Sequence, residues 1–253
     1  MKKYYMPILT LALSIIVWEV YVRVGNVSLF ILPSPSSIVL ALIENAQVLW
    51  QHSMVTLFEA VIGLTIATVL AVLIAIGMDL SKNFKYSIFP HLVVTQTVPV
   101  MILGPLFSIW FGFGLAPKIL MVIFMCFFPI VIAFCDALGQ VDQKQVNLLK
   151  SFGASPFKIY TLVKIPAATT ALFSGLKVAA TYCIGGAIVG EWLNASAGLG
   201  YYMIRVKNGY MLDKVFACVI VIILWSLLLN AIVNLIEKIM FPYMRKKKRG
   251  EDK

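Results

Sequence analysis

The sequence predicts an all-α polytopic membrane protein with about six transmembrane helices, and three observations carry that prediction. The 253 residues are 61% hydrophobic and only 13% charged, with a mean hydropathy of +0.94. Soluble domains lie nearer half apolar and a quarter charged. Several apolar windows reach the roughly 20 residues that a helix needs to cross the hydrocarbon core. These runs are continuous rather than alternating over about 10 residues, which argues against a β-barrel. Finally, Lys and Arg are concentrated in alternate inter-window segments, as the positive-inside rule requires of a multi-pass chain.

The first span is placed at Met6–Val22. It follows Met1-Lys2-Lys3 as a signal peptide would, but no small-x-small cleavage pattern follows, so it is expected to remain as a span. Next comes "FILPSPSSIVLALIENAQVLWQH". Pro33 and Pro35 interrupt the chain, and Ser34, Ser36 and Ser37 are cap residues for a short helix lying along the membrane surface. The remaining spans are Val55–Met78, Tyr86–Phe107, Ile119–Asp136, Ala168–Trp192 and Val215–Ile236. The chain thus divides into residues 1–54, the first span with its external surface helix; residues 55–241, a permease-like core; and residues 242–253, a basic tail.

With a cytoplasmic N-terminus, the outside segments hold five cations, Arg23, Lys118, Arg205, Lys207 and Lys214, and Lys177 falls within the fifth span. The other fifteen of the 21 Lys and Arg lie inside. That bias predicts cytoplasmic N- and C-termini. It also accounts for the net charge of +10. The tail "RKKKRGEDK" is expected to meet anionic lipid as a topology anchor rather than nucleic acid.

The longest inside loop, residues 137–167, contains "KSFGASPFKIYTLVKIP", in which three lysines stand without an acidic neighbour. Asn147, Leu148 and Leu149 suit a helical turn, and Gly153 suits the left-handed residue that ends it. Ser155 followed by Pro156 suits the N-cap and first position of a second helix. That helix would carry an apolar face of Phe157, Ile159, Tyr160, Leu162 and Val163. Helix, bend and amphipathic helix make a knob fitted to a groove on another protein.

The loop resembles the "EAA" loop of ABC-importer permeases, E-A-A-x-x-x-G, nine residues, then I-x-L-P. "NLLKSFGASPFKIYTLVKIP" matches at Gly153 and Pro166, has apolar swaps at Val163 and Ile165, and departs at the E-A-A itself. "LPSPSSIV", "TQTVPVMILGPLFSIWFGFGLAPKI", "FFPIVIAFCDALGQVD" and "GAIVGEWLNASAGLGYYM" extend the resemblance from about Leu32 to Pro242, to permeases of the nitrate, sulfonate and taurine type. Within these, "SGLKVAATYCIGGAIVGEWL" is most similar to permeases for thiamine-precursor pyrimidines. The resemblance implies a type I ABC-importer permease fold in a bacterial inner membrane. It implies two permease chains, most simply a homodimer, two separate ATPase subunits and an extracytoplasmic solute-binding protein. It implies that Asn147, Leu148, Leu149, Gly153, Ala154, Ser155, Lys158 and Pro166 form the ATPase-coupling loop. No G-x-x-x-x-G-K-[ST] occurs, so ATP and magnesium belong to the partner and this chain binds no cofactor.

Polar groups inside spans cost a few kcal/mol unless used or paired, which makes them candidates for a translocation path. Glu59, Gln96, Thr97, Pro99, Lys177, Thr181 and Tyr182 form that set, and Gln96, Thr97 and Pro99 are also expected to weaken the helix of the third span. Glu191, beside Trp192, is expected to be an interface anchor, Gly186 and Gly190 a close-packing pair, and His52 and His91 isolated packing residues. Cys126, Cys135, Cys183 and Cys218 are expected as buried small hydrophobes, with neither disulfides nor a metal site. "FGFG" and "GLG" read as turns. No paired carboxylates, H-E-x-x-H or Ser/His/Asp grouping points to an enzyme, so no catalytic residue is assigned. A secondary, ion-coupled transporter is the alternative class, though no internal repeat supports it.

Overall fold

The computed structural model describes residues 2–241, and the basic tail lies outside the described residues. Among the described residues every regular element is helical. In chain order these are α1 (Lys2–Val24), α2 (Pro35–Glu44), α3 (Ala46–Leu80), α4 (Lys82–Thr95), α5 (Val100–Phe111) and α6 (Leu115–Gly139). They continue with α7 (Gln143–Ser151), α8 (Pro156–Ile159), a π-helical turn (Tyr160–Lys164), α9 (Ile165–Asn194), α10 (Leu199–Asn208) and α11 (Leu212–Met240).

The surface helix forms where the serines predict it. Ser34 Oγ accepts from Ser37 N–H at 3.3 Å, Pro35 takes the first helical position, and Glu19 and Arg23 of α1 both reach Ser36. After Asn45 the chain turns directly into α3, nine residues ahead of the predicted Val55. At 1.5 Å per residue, the 35 residues of α3 extend about 50 Å, longer than the ~30 Å hydrocarbon core.

α6 is the axis of the bundle, with α3 on one flank and α9 on the other. Small residues set the first contact: Ala60, Gly63, Ala67, Ala71 and Ala75 recur every three or four positions of α3, and the four alanines are wholly buried. A Cβ on Gly63 would stand 2.5 Å from Val122. Small residues let backbones approach, which in lipid replaces the hydrophobic effect as the source of packing energy. On the other flank, a Cβ on Gly190 would stand 2.9 Å from Lys118 Cα and one on Gly186 3.1 Å from Val122 Cα, so this pair packs closely as expected. All four cysteines are buried and free.

These contacts also fix direction. Glu59 meets Lys118 and Gly63 meets Val122, so α3 and α6 run parallel. Gly175 approaches Pro129 while Gly190 approaches Lys118, so α9 runs antiparallel to both. Lys177 meets Glu237 and Thr181 meets Asn230, which reverses α11 again.

The predicted third span, Tyr86–Phe107, is not one helix. α4 and α5 are separate, with a bend of 105° between them. Pro99 removes a backbone donor, and residues 96–99 form a turn in which Thr97 N–H bonds Val94 O at 3.1 Å and Val98 N–H bonds Thr95 O at 3.2 Å. The chain must nevertheless cross between the parallel helices α3 and α6, so α4 and α5 together make one broken crossing. Five helices are long and apolar enough to cross a membrane, and the broken pair brings the number to six when it counts as one; six crossings put the starts of α1, α4 and α9 on one side with the ends of α3, α6 and α11.

Candidate functional site

The knob protrudes from the side on which α6 ends and α9 begins. Asp142 caps α7 by accepting Lys144 N–H at 2.9 Å. At its other end Gly153 has φ +74°, Gly153 N–H bonds Lys150 O at 2.9 Å, and Ala154 N–H bonds Leu149 O at 3.0 Å. These two bonds are the paired closure that ends a helix through a left-handed residue. Ser155 then caps α8 through Lys158 N–H at 3.4 Å, with Pro156 first in the helix. Val141, Val146 and Ile159 form a small core of their own with Leu149, Ala154 and Val163 packed on it.

That core uses only part of the predicted apolar face. Ile159 points in, while Leu148, Phe152, Phe157 and Leu162 are exposed, the two phenylalanines at 78% and 77%. The two rings stand beside exposed Lys150 and Lys158, so the knob presents an apolar, basic surface. Asn147 is exposed as well and stands where the family pattern has glutamate.

Pro166 explains the π turn. Proline has no N–H to give the carbonyl four residues earlier, and its ring would collide with that carbonyl in an α-helix. Widening the preceding turn relieves this, and Ile165 N–H bonds Tyr160 O, five residues back. The chain from Pro156 to Leu193 therefore runs as one long helix from knob to far side.

The path candidates separate into three places. Gln96, Thr97 and Pro99 lie at the break between α4 and α5 and are exposed. Thr97 Oγ1 donates back to Val94 O at 2.7 Å. Lys177 does not stand free within its span: its ammonium pairs with Glu237 Oε2 at 2.5 Å, and Asn230 Nδ2 donates to Lys177 O and to Thr181 Oγ1, each at 3.1 Å. Tyr182, one residue on, is half exposed.

Glu59 faces no open path. It is wholly buried and pairs with Lys118 Nζ at 2.9 Å, the ammonium reaching in from the first turn of α6. Beside it lies a cluster absent from the sequence expectations. Glu191 is 1% exposed, not at an interface, and its Oε1 accepts from Thr56 Oγ1 at 2.7 Å. His52 is not isolated: its Nδ1 accepts Gly198 N–H at 3.0 Å, and its ring stacks on Tyr202 at 5.3 Å. Leu199 N–H donates to Thr56 Oγ1 at 2.8 Å and Gly200 N–H to Glu191 Oε2 at 2.5 Å. The three consecutive N–H groups that open α10 are thus each held by a different side chain, two from α3 and one from α9. The "GLG" stretch is the start of this helix as well as a turn. The only available signal was three polar residues, His52, Thr56 and Glu59, spaced along one face of α3.

The described residues hold no group of three or more His, Cys, Asp or Glu able to bind a metal. They form instead a bundle with an exposed knob, a bent helix pair and buried ion pairs between helices. A family model for the binding-protein-dependent transport system inner membrane component matches residues 63–246. The chain belongs to this family. As such it is an inner-membrane ABC-importer permease for small solutes. It is 34% identical over 223 residues to a probable ABC transporter permease protein of Haemophilus influenzae, covering 88% of this chain and 91% of the relative. It is 30% identical over 241 residues to the formylaminopyrimidine transport permease protein ThiX of Halalkalibacterium halodurans, covering 95% and 96%. A putative aliphatic sulfonates transport permease protein, SsuC of Bacillus subtilis, is 29% identical over 230 residues, covering 90% and 83%. In fold the permease is similar to a solved amino acid ABC transporter with histidines, at a TM-score of 0.64 and 17% identity over 79% of this chain and 97% of that one.

Proposed function

We propose that this permease forms, as a homodimer, the translocation path of an ATP-driven importer for a small hydrophilic organic solute, with a thiamine-precursor pyrimidine first. Sulfonate, nitrate, taurine and riboflavin are the solutes next in order. The family implies ATPase and solute-binding partners, and the observation that carries the coupling is the knob. Its Gly153 turn is closed by two backbone hydrogen bonds, its two phenylalanines are exposed, and it is continuous with α9. On this reading Asn147, Leu148, Leu149, Gly153, Ala154, Ser155, Lys158 and Pro166 serve ATPase docking, and ATP and magnesium reside on the partner. The knob then faces the cytoplasm, which puts both termini there, in agreement with the lysine and arginine bias. Membrane lipid surrounds the dimer.

For the path, the broken crossing contributes Gln96, Thr97 and Pro99, because irregular backbone at membrane depth is tolerated where it lines a cavity or meets protein. The pyrimidine assignment is supported by the 30% identity to ThiX along nearly the whole of both chains. The test is uptake of a labelled aminopyrimidine by cells with and without the gene, run beside a labelled sulfonate and riboflavin. Gene-dependent uptake of the first alone supports the assignment. Uptake of another alone replaces the substrate, and copurification without any ATPase subunit removes the coupling.

A further inference from the structure

Asp79 lies in the last turn of α3, where a carboxylate opposes the negative end of the helix dipole. It is held there by two residues of the π turn. Tyr160 donates its hydroxyl to Asp79 Oδ2, and Lys164 Nζ pairs with the same oxygen at 2.5 Å. The lysine also lies 5.2 Å from the centre of the Tyr160 ring. Both charged side chains are nearly buried, Asp79 at 9% and Lys164 at 13% exposure. Such a pair resists separation, because each charge left alone would be poorly solvated.

Position gives the contact its meaning. The π turn is the place where the long helix from the knob is most easily deformed, since its regular bond pattern is interrupted there by Pro166. Without a brace, displacement of the knob would be absorbed as bending at that turn. With Asp79 gripping both Tyr160 and Lys164, the turn is fixed to the end of α3, whose alanine face is packed along α6. We infer that Asp79 is a positioning residue that joins the knob to α3, so that movement imposed on the knob is carried into the α3–α6 pair as well as into α9. The inference rests on the coupling reading proposed above.

The test uses the complete importer, permease with its ATPase, in detergent, with hydrogen–deuterium exchange followed by mass spectrometry with and without ATP and magnesium. In the wild type, protection is expected to change on nucleotide addition both in the knob, residues 143–164, and at the end of α3, residues 75–80. Asp79→Asn is expected to keep its ATPase subunit and the response of the knob while the response of residues 75–80 disappears. The exchanged pair Asp79→Lys with Lys164→Asp is expected to recover it. A normal response at residues 75–80 in Asp79→Asn, with the ATPase retained, overturns the inference and leaves the coupling reading intact. Loss of the ATPase from Asp79→Asn alone overturns it in favour of a purely shape-keeping role. A wild-type permease that retains no ATPase removes the coupling reading, and the inference with it.

Discussion

Glu191 of α9 accepts the backbone N–H of Gly200 at 2.5 Å in the interior of the bundle, and the glycine is what lets the two meet. A Cβ on Gly200 would stand 2.9 Å from Glu191 Oε2 and 2.6 Å from Ile188 O, and one on Gly198 would land on the Glu191 carboxyl itself. Gly198 also has φ +115°, a backbone conformation that side chains rarely adopt. Glycine at both positions is thus required by close contacts with α9, and at Gly198 by its own backbone conformation as well.

The first prediction concerns that contact. Gly198→Ala should lower the thermal midpoint of the purified permease more than Gly209→Ala, whose nearest neighbour would be 3.5 Å away. Thr56→Val removes one hydroxyl that both donates to Glu191 and accepts from Leu199, stranding two buried groups. Each unsatisfied group costs about 1–3 kcal/mol. Melting curves in detergent check both, and a Thr56→Val protein as stable as the wild type would show that the bonds contribute nothing.

The second prediction concerns Glu59 and Lys118. Breaking a buried pair by removing one partner costs about 3–5 kcal/mol, whereas replacing both by apolar groups is often neutral. Lys118→Met should therefore destabilise strongly, and Lys118→Met with Glu59→Leu should recover most of the loss. A double variant no better than the single would mean that Glu59 has a role beyond pairing.

Third, Lys177→Met should weaken the α9–α11 contact by leaving Glu237 partly buried without its cation, whereas Tyr182→Phe, at a half-exposed position, should leave stability unchanged. Transport by Lys177→Met, corrected for membrane abundance, separates a pairing role from a path role. Normal corrected transport would remove Lys177 from the path.

What was legible in the sequence is what short-range chemistry decides. Ser34 and Pro35, Gly153, and Ser155 with Pro156 each act within about four residues, and each is found at the cap or turn its chemistry favours. Span hydropathy is equally local, and each predicted span overlaps one of the five long apolar helices or the bent α4–α5 pair. The break at residues 96–99 shows in the sequence only as Gln96, Thr97 and Pro99, residues able to weaken the third span, because an apolar window averages over a kink. The Glu191 cluster was not seen: Thr56 and Glu191 are 135 positions apart, and no local rule pairs them. α10 was missed for a related reason. Its start is capped by His52, Thr56 and Glu191 rather than by a Ser, Thr or Asp of its own segment.

The last prediction is for Gly153. Within this chain a Cβ at Gly153 would have nothing within 4 Å, so a side chain there meets no internal obstacle. Its cost to the fold is only that of the left-handed backbone, about 1–2 kcal/mol for a residue with a Cβ. Gly153→Asp should accordingly insert and fold at near-normal abundance. On the docking role proposed above, the outcome against the ATPase differs, because Gly153 lies in sequence between exposed Phe152 and Phe157. An unpaired carboxylate buried there costs a few kcal/mol or more, enough to weaken docking by roughly a hundredfold. Lys158→Ala should be milder, since a rim charge contributes about 1 kcal/mol or less. The paired measurement is variant abundance in membranes and ATPase retained on purification. A Gly153→Asp permease that kept its ATPase and transported at the normal rate would reduce the knob to a connector between α6 and α9.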